Sequence, residues 1–492
     1  VAETENKQQK VVIVGSGIAG LACAYYLQSL SKDLAVKPEV IVLERGLQAG
    51  GVISTGSYEG SVIEHGPDSV LTQKPWALDL FAELGLANEV VETNKEKRKT
   101  YVAEGSSLQP LPDGFVMLAP SQAASFLKSS LFSPLCKLRV ALELFIPKRK
   151  SEEDESVADF ICRRFGREIL DTVVQPMVGG IYTGDLQQLS ARSTIGRFVD
   201  LEQKYGSVIA GLRAEAAANK SAANESAGEQ TAGARYSLFV SLSKGIGQLV
   251  EEICRKLPPS SIRFGSPVQS AVYDEENKNW QLRLATNEVI LANYVVFACP
   301  AYEVAKIVGQ SYPDLAAKLD KIPYASSAVV NLVYKQGDIP DKPNGFGFVV
   351  PITDKRSLLA CSFVSEKFPN RAPAGMTVLR AFVGGVLQPE IYALSDGKIL
   401  KRVCSDLDVY LDIKTTPTSY FLRRYPRSMP QYNVGHQKLV QSIFQMAAQL
   451  PCLSLCGSAY YGVGIPDCIH SGKKAAEEIA AKFCKDNPIS CQ

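Results

Sequence analysis

Histidine is the scarcest reactive side chain in this sequence. Only His65, His436 and His470 occur in 492 residues, and none stands at ligand spacing from a second histidine or a carboxylate, so no metal centre is expected. A Gly-x-Ser-x-Gly elbow is also missing, and no cysteine has a histidine neighbour in sequence, which leaves no indicated side-chain nucleophile. The twelve cysteines contain no Cys-x-x-Cys pair, only Cys452 and Cys456 lying close together, a pattern that fits neither a disulfide framework nor a zinc site and suits a reducing compartment. Excess charge of one sign is lacking too: 53 Lys and Arg against 51 Asp and Glu leave +2, no field suited to gathering nucleic acid. No run of 18 apolar residues occurs, and the opening VAETENKQQK is polar and mixed in charge, unlike a signal peptide, so a chain that does not span a membrane is expected. The first residue is not methionine, which leaves a trimmed and a processed chain both open. No repeat of fixed period is evident.

What is present begins at Lys10. The stretch VVIVGSGIAGLACAYYL reads as an apolar strand turning through Gly15, Gly17 and Gly20 into a helix, with Glu44 closing the next strand, VIVLE. Glycine permits the tight turn at Gly15 and close approach of a pyrophosphate at Gly17, while Gly20 lets helix and strand pack closely. The phosphates would then meet the unpaired amides of the helix start. Glu44, 24 residues past Gly20, is placed to accept hydrogen bonds from an adenosine ribose. Glycines 50 and 51 follow, before a hairpin-like stretch and a further acid, Glu64, an extension that a simple NAD domain does not need.

That extension resembles the glutathione-reductase and amine-oxidase class of flavoproteins, whose paired glycines wrap the pyrophosphate and lead the chain beside the isoalloxazine. The resemblance implies FAD, with Gly15, Gly17, Gly20, Glu44, Arg45, Gly50, Gly51 and Gly66 among its contacts. Val52 stands where many relatives have arginine, so phosphate binding would fall more on backbone amides. A matching second half lies in LPCLSLCGSAYYGVGIPDCIHSGKKAAEEIAAKF, where Gly457, Gly462, Gly464 and Ile465 lead into an amphipathic helix whose start can aim amides at the flavin. Between these ends, 241–257 reads as a helix entered through Gly245 and Gly247. The DEENKN turn at Asn277 divides two alternating runs that return to the strand YVVFA. By the same analogy Val268 is an adenine contact; an ordinary core valine is the equal alternative.

The length calls for two or three domains. The expected fold class is α/β, mixed with α+β. A Rossmann-like FAD domain would be formed by 10–88, 236–300 and 450–485, and a substrate domain on a mixed sheet by 89–114 and 301–449. A helical, membrane-associating domain would occupy 115–205. In 115–150 apolar residues recur at helical spacing beside Lys128, Lys137, Arg139 and the run Lys148 to Lys150, which suits either a membrane surface or helices packed on their own domain. Residues 213–235 lack large apolar side chains and read as a flexible insertion.

Three segments narrow the family. DTVVQPMVGGIYTGDLQQLSARS, MPQYNVGH, and the ordered set GFGFVVP, FPNRAP and FVGG resemble oxygen-dependent protoporphyrinogen oxidases, closest to the plastid and bacterial type, over nearly the whole chain. The resemblance implies a flat tetrapyrrole bound between apolar side chains, Phe382 stacking on a pyrrole ring, with Val349 and Ser362 in the pocket wall and the Gly180 carbonyl facing the reacting bridge carbon. Many members grip a propionate with an arginine where this chain has Thr100; Arg98, two residues upstream and so on the same face of a strand, is the substitute anchor, or else part of a solvated basic run.

The implied activity is oxidation of protoporphyrinogen IX in three flavin cycles, each reoxidised by O2 with release of hydrogen peroxide. Coproporphyrinogen III is the alternative substrate. From another class, a porphyrin-binding carrier that keeps FAD only as structure is the second reading. The apolar face and basic border of 115–150 point to peripheral membrane attachment, expected on the reducing side of a bacterial or organellar membrane, and a homodimer is left open.

Overall fold

Five short strands run parallel, and the central three are apolar along nearly their whole length because both faces are covered. They are β1 (Lys10–Val14), β2 (Glu39–Leu43), Ile262–Arg263, Tyr294–Phe297 and Leu453–Leu455. In space the order is Ile262–Arg263, β2, β1, Tyr294–Phe297, Leu453–Leu455, so the winding reverses beside β1. Ligands bind at the carboxyl ends of strands at such a reversal. The computed structural model describes residues 9–486 apart from 33, 35, 36, 117, 121, 226–237 and 341.

Helix α1 (Ile18–Leu30) and the last helix, Ile465–Asp486, cover one face of this sheet. They cross almost backbone to backbone: a Cβ at Gly472 would lie 2.2 Å from the Ala19 carbonyl. The other face is covered by an antiparallel meander, Val268–Asp274, Asn279–Leu284 and Val289–Ala292, with the expected turn between its first two strands. Two expectations are corrected. The helix read over 241–257 begins only at Gly247; Phe239–Leu242 is a strand paired with Val70–Leu71 and Val90–Glu92, and Gly245 makes the turn at φ 98°. The expected flexible insertion 213–235 is helical through Glu225, as the end of Val208–Glu225, because alanine carries the highest helix propensity even where no apolar face exists; residues 226–235 lie outside the described residues.

A second, seven-stranded sheet has the order Ser419–Pro430, Tyr324–Lys335, Met376–Gly384, Leu358–Phe363, Gly347–Val349, Thr100–Glu104, Ser107–Pro110. Its pairs are antiparallel except Thr100–Glu104 beside Gly347–Val349, so the sheet is mixed, as expected. One face buries Val330, Phe348, Cys361 and Ala381 against Ile399, Val403 and Leu407 of the Asp396–Leu411 helix. The opposite face carries the candidate site.

A helical body from 123 to 225 completes the molecule, around Phe132, Phe160, Val173 and Leu201. Inside it the fully buried Arg164 meets Glu143 and Glu202. Glu143 also accepts from the Val208 amide at 2.9 Å, capping the Val208–Glu225 helix. No helix among the described residues is long and apolar enough to cross a membrane. Ten described cysteines are free thiols, and Cys484 is disulfide-bonded. Removing one partner of a buried ion pair leaves the other charge stranded. Glu143→Ala is therefore expected to destabilise the helical body by about 3–5 kcal/mol, measured by urea unfolding.

Candidate active site

The first glycine turn is built to receive an anion. Gly15, at φ 108°, lies against the Ala298 carbonyl, which a Cβ there would approach to 2.9 Å. A Cβ at Gly20 would lie 2.0 Å from the Gly15 carbonyl, so helix and turn meet as their glycines require. Gly17 caps α1 with no side-chain hydrogen bond, leaving the first amides of the helix uncapped by any side chain, and a Cβ at Gly17 would meet nothing within 4 Å. The second glycine pair folds back on this turn: Gly50 bridges Gly17, its amide donating to the Ser16 carbonyl at 2.8 Å, and Gly51, at φ 62°, faces the Gly17 Cα.

Glu44 follows β2, and its carboxylate accepts from Ser16 N at 2.9 Å, Ser16 Oγ at 2.7 Å and Gly46 N at 2.7 Å. Three of roughly four acceptor positions are used, so one remains for a hydroxyl. The Gly265–Val268 stretch runs alongside, with Ser266 N donating to the Glu44 carbonyl at 2.8 Å and Val268 half-buried against the core beneath. Arg45, expected at the cofactor, instead points outward and pairs with Glu303 at 3.1 Å. Gly457 sits at the end of Leu453–Leu455, at φ 114° beside Ala19, and Gly464 and Ile465 open the last helix. Uncapped amides, glycine-lined approach and a carboxylate at the strand end together fit a dinucleotide.

The hairpin β3 (Thr55–Tyr58) and β4 (Ser61–Glu64) carries the chain from this turn to the seven-stranded sheet. Beyond it, a Cβ at Gly66 would lie 1.7 Å from the Val52 carbonyl. Arg380 donates to the Gly66 carbonyl, and Asn331 Nδ2 donates to the Glu64 carbonyl at 3.0 Å. Asp68 is gripped by Lys367 Nζ at 2.9 Å and by Arg380 at 3.5 Å. Burial alone would raise the Asp68 pKa, but the two cations hold it well below the usual carboxylate range. Nearby, the buried Arg371 guanidinium donates to Ser241 Oγ at 2.6 Å and the Leu242 carbonyl at 2.9 Å. Asp68, Lys367, Arg371 and Arg380 were not anticipated as a set. The signal for one of them was present, since Arg371 is the arginine of FPNRAP.

Strand register brings the expected substrate residues together. Val102, Val349, Ala360, Phe382, Val329 and Arg423 form one cross-strand row, and Thr100, Gly347, Ser362, Arg380 and Asn331 form the next on the same face. Phe382, Ser362 and Val349 are half-buried. The Arg380 guanidinium lies 4.8 Å from the centre of the Phe382 ring. Arg98 is the exception. It precedes the strand, which starts at Thr100, and is exposed, so the argument from shared strand face fails. Arg423, in the Phe382 row, is exposed and forms no hydrogen bond or ion pair among the described residues.

Facing this sheet is the Gln175–Tyr182 helix, which follows a π-helical turn at Leu170–Val174. Its end is tied to the strand of Phe382: Val386 N donates to the Thr183 carbonyl at 2.9 Å, and the left-handed Gly385 lets that carbonyl approach. Gly180 lies in the last turn, where carbonyls have no intrahelical partner, and a Cβ there would meet nothing within 4 Å. With Gly179, Val350, Leu359 and Gly384 it lines a cavity of about 20 Å³ between helix and sheet.

The chain is 33% identical over 472 residues to the coproporphyrinogen III oxidase of Bacillus subtilis, covering 96% of this chain and 98% of that protein. It is 26% identical to protoporphyrinogen oxidase 2 of Arabidopsis thaliana, covering 96% and 94%. A solved structure from Exiguobacterium sp. 255-15, provisionally described as a protoporphyrinogen oxidase, superposes with a TM-score of 0.82 at 30% identity over 96% of this chain and 99% of that one. The family's cofactor is FAD, and the first glycine turn, with its uncapped amides, fits the pyrophosphate of such a dinucleotide. Gly17→Val, whose side chain meets no protein atom at its Cβ, is expected to leave the thermal midpoint of the apoprotein unchanged while weakening FAD binding about 100-fold or more, read by flavin fluorescence titration. Residues 18–480 match the profile of the flavin containing amine oxidoreductases, and the chain belongs to that family.

Proposed function

We propose that the chain is an FAD-dependent oxidase of porphyrinogens and that coproporphyrinogen III is its preferred substrate. The reaction class is carried by the family match together with the porphyrinogen oxidase relatives, and it is supported by Phe382, Ser362 and Val349, which are half-buried on one face of the sheet that the Gln175–Tyr182 helix packs against. The substrate choice departs from the protoporphyrinogen IX expected from sequence. It is supported by the higher identity to the Bacillus subtilis relative than to the Arabidopsis one.

FAD, which Gly15, Gly17, Gly50, Gly51 and Glu44 would hold, would supply a two-electron acceptor for hydride from the substrate's bridge carbons in three rounds, with O2 as the final acceptor and hydrogen peroxide as its product. The protein's part is positioning. Phe382 stacks on a pyrrole ring, and the Gly180 carbonyl accepts from the substrate without a side chain between them. Across the three rounds the three hydrides are matched by three protons released to solvent, two from pyrrole N–H groups and one from the fourth bridge carbon, so the product keeps two N–H groups, and because oxidation ends in an aromatic ring no strong base is required. Arg423, uncommitted on the same face, takes over from Arg98 as the cation offered to a propionate, and a tetracarboxylate has more propionates to offer it.

The exposed Leu135, Leu138, Leu142 and Phe145, the last 81% exposed, line one side of the Pro134–Ala141 helix and the turn after it, with Lys137, Lys148 and Lys150 close by. This face supports attachment to an anionic membrane surface.

Porphyrin fluorescence in air, with coproporphyrinogen III and protoporphyrinogen IX offered in parallel, tests the substrate. Faster growth with coproporphyrinogen III is expected. A preference for protoporphyrinogen IX would restore the other substrate, and no acceleration with either would leave the carrier reading. Phe382→Ala and Arg423→Gln are each expected to raise KM about 10-fold while FAD stays bound. For the membrane face, Leu138→Ser with Phe145→Ser is expected to lower co-sedimentation with phosphatidylserine vesicles at least about 10-fold; unchanged co-sedimentation removes that face from the binding surface.

A further inference from the structure

The MPQYNVGH segment matched a family pattern in the sequence without a role. In the structure it runs extended between the Gln175–Tyr182 helix and the loop before Ile465–Asp486. Adjacent residues of an extended chain face opposite sides, and Gln431 and Tyr432 do so here. Gln431, 4% exposed, donates from Nε2 to the Tyr182 carbonyl at 2.8 Å, satisfying one of the helix-end carbonyls two residues past Gly180. A Cβ at Gly184 would lie 2.4 Å from Gln431 Oε1, so the amide also fits tightly under the helix exit.

Tyr432, 1% exposed, turns the other way. Its hydroxyl accepts from Gly462 N at 2.9 Å and donates to the Ser458 carbonyl, drawing together the two sides of the loop between Gly457 and Gly464. The ring stacks on His436 at 4.2 Å, and His436 Nε2 in turn donates to the Tyr460 carbonyl at 3.1 Å. The segment is itself fixed by the helical body: Ser190 N donates to the Tyr432 carbonyl at 2.7 Å, and Gly435 N donates to Asp154 at 2.9 Å.

We infer that Gln431 and Tyr432 are paired positioning residues: Tyr432 sets the loop that closes the FAD site, and Gln431 sets the turn that carries the Gly180 carbonyl. One dipeptide thereby fixes the hydrogen-bond-accepting Gly180 carbonyl relative to the cofactor. The Tyr432 half rests on the FAD site alone, and the Gln431 half rests on the porphyrinogen oxidase reading.

Two variants of the full chain separate the halves. Tyr432→Phe strands the Gly462 amide and is expected to raise the FAD dissociation constant about 10-fold and to shift the visible absorbance of the bound flavin. Gln431→Met keeps the side-chain length and removes the donor. It is expected to leave FAD affinity within about twofold of the parent, while anaerobic single-turnover reduction of the flavin by coproporphyrinogen III slows about 10-fold at unchanged KM. Amide hydrogen exchange should rise at 458–462 in the first variant and at 180–184 in the second. FAD binding at parental affinity in Tyr432→Phe, or parallel loss of both readouts in both variants, would overturn the inference, since general loosening does not sort by residue. If the parent reduces with no porphyrinogen, the functional reading fails, whereas the FAD and exchange readouts still decide the Tyr432 half.

Discussion

Asp68 is buried between Lys367 and Arg380, and those two cations arrive on different segments of the body built on the seven-stranded sheet while the carboxylate belongs to the body built on the parallel sheet. A carboxylate in that position is costly unless it is paired, and once paired it resists any sliding of one body over the other. Arg380 adds the Gly66 carbonyl on one side and the Phe382 ring on the other. The aromatic wall of the site is therefore positioned from the loop that follows the cofactor-binding hairpin. Beside this polar clamp, Ile63 packs with Val333, Val364 and Val378, so apolar burial seals the same seam.

The parts of the site that the sequence discloses are those whose chemistry is local. Gly15, Gly17 and Gly20 lie within one strand-to-helix turn, where the left-handed φ at Gly15 and the contact of Gly20 with the Gly15 carbonyl are set within the motif itself. Arg45 follows Glu44 directly, yet its partner Glu303 is far away in the chain, and no local pattern announces that pairing. Arg98 failed for a related reason: counting residues assumes that the strand extends to it, whereas Arg98 caps the short 3-10 turn Lys95–Lys97, the strand begins only at Thr100, and Lys97 is drawn to Glu366. The row that joins Val349, Ala360 and Phe382 depends on strand register, which tertiary packing sets. Alanine in 213–225 illustrates the reverse limit, where composition suited to loops still propagates a helix already started at Val208.

Across the site the protein contributes shape and alignment more than reactive groups. The helix facing the sheet presents glycine at its last turn, the sheet presents Phe382 beside Ala360, Val349 and Ser362, and the three histidines pack on aromatic rings: His436 under Tyr432, His470 stacked on Trp76 at 3.9 Å, and His65 beside Phe421. This division suits a reaction whose difficulty is borne by a cofactor. Selectivity then lies in how closely the walls are held, which is why so many of the long-range hydrogen bonds converge on helix ends and loop carbonyls.

The parallel pairing of Thr100 with Gly347 bears on how the chain is made. The two edge strands Thr100–Glu104 and Ser107–Pro110 leave the ribosome long before Gly347–Val349, beside which they must lie. Through all of that synthesis their pairing groups have only each other, so chaperones or early docking on the helical body must shelter the open edge. Closure of this sheet is accordingly a late event of high contact order.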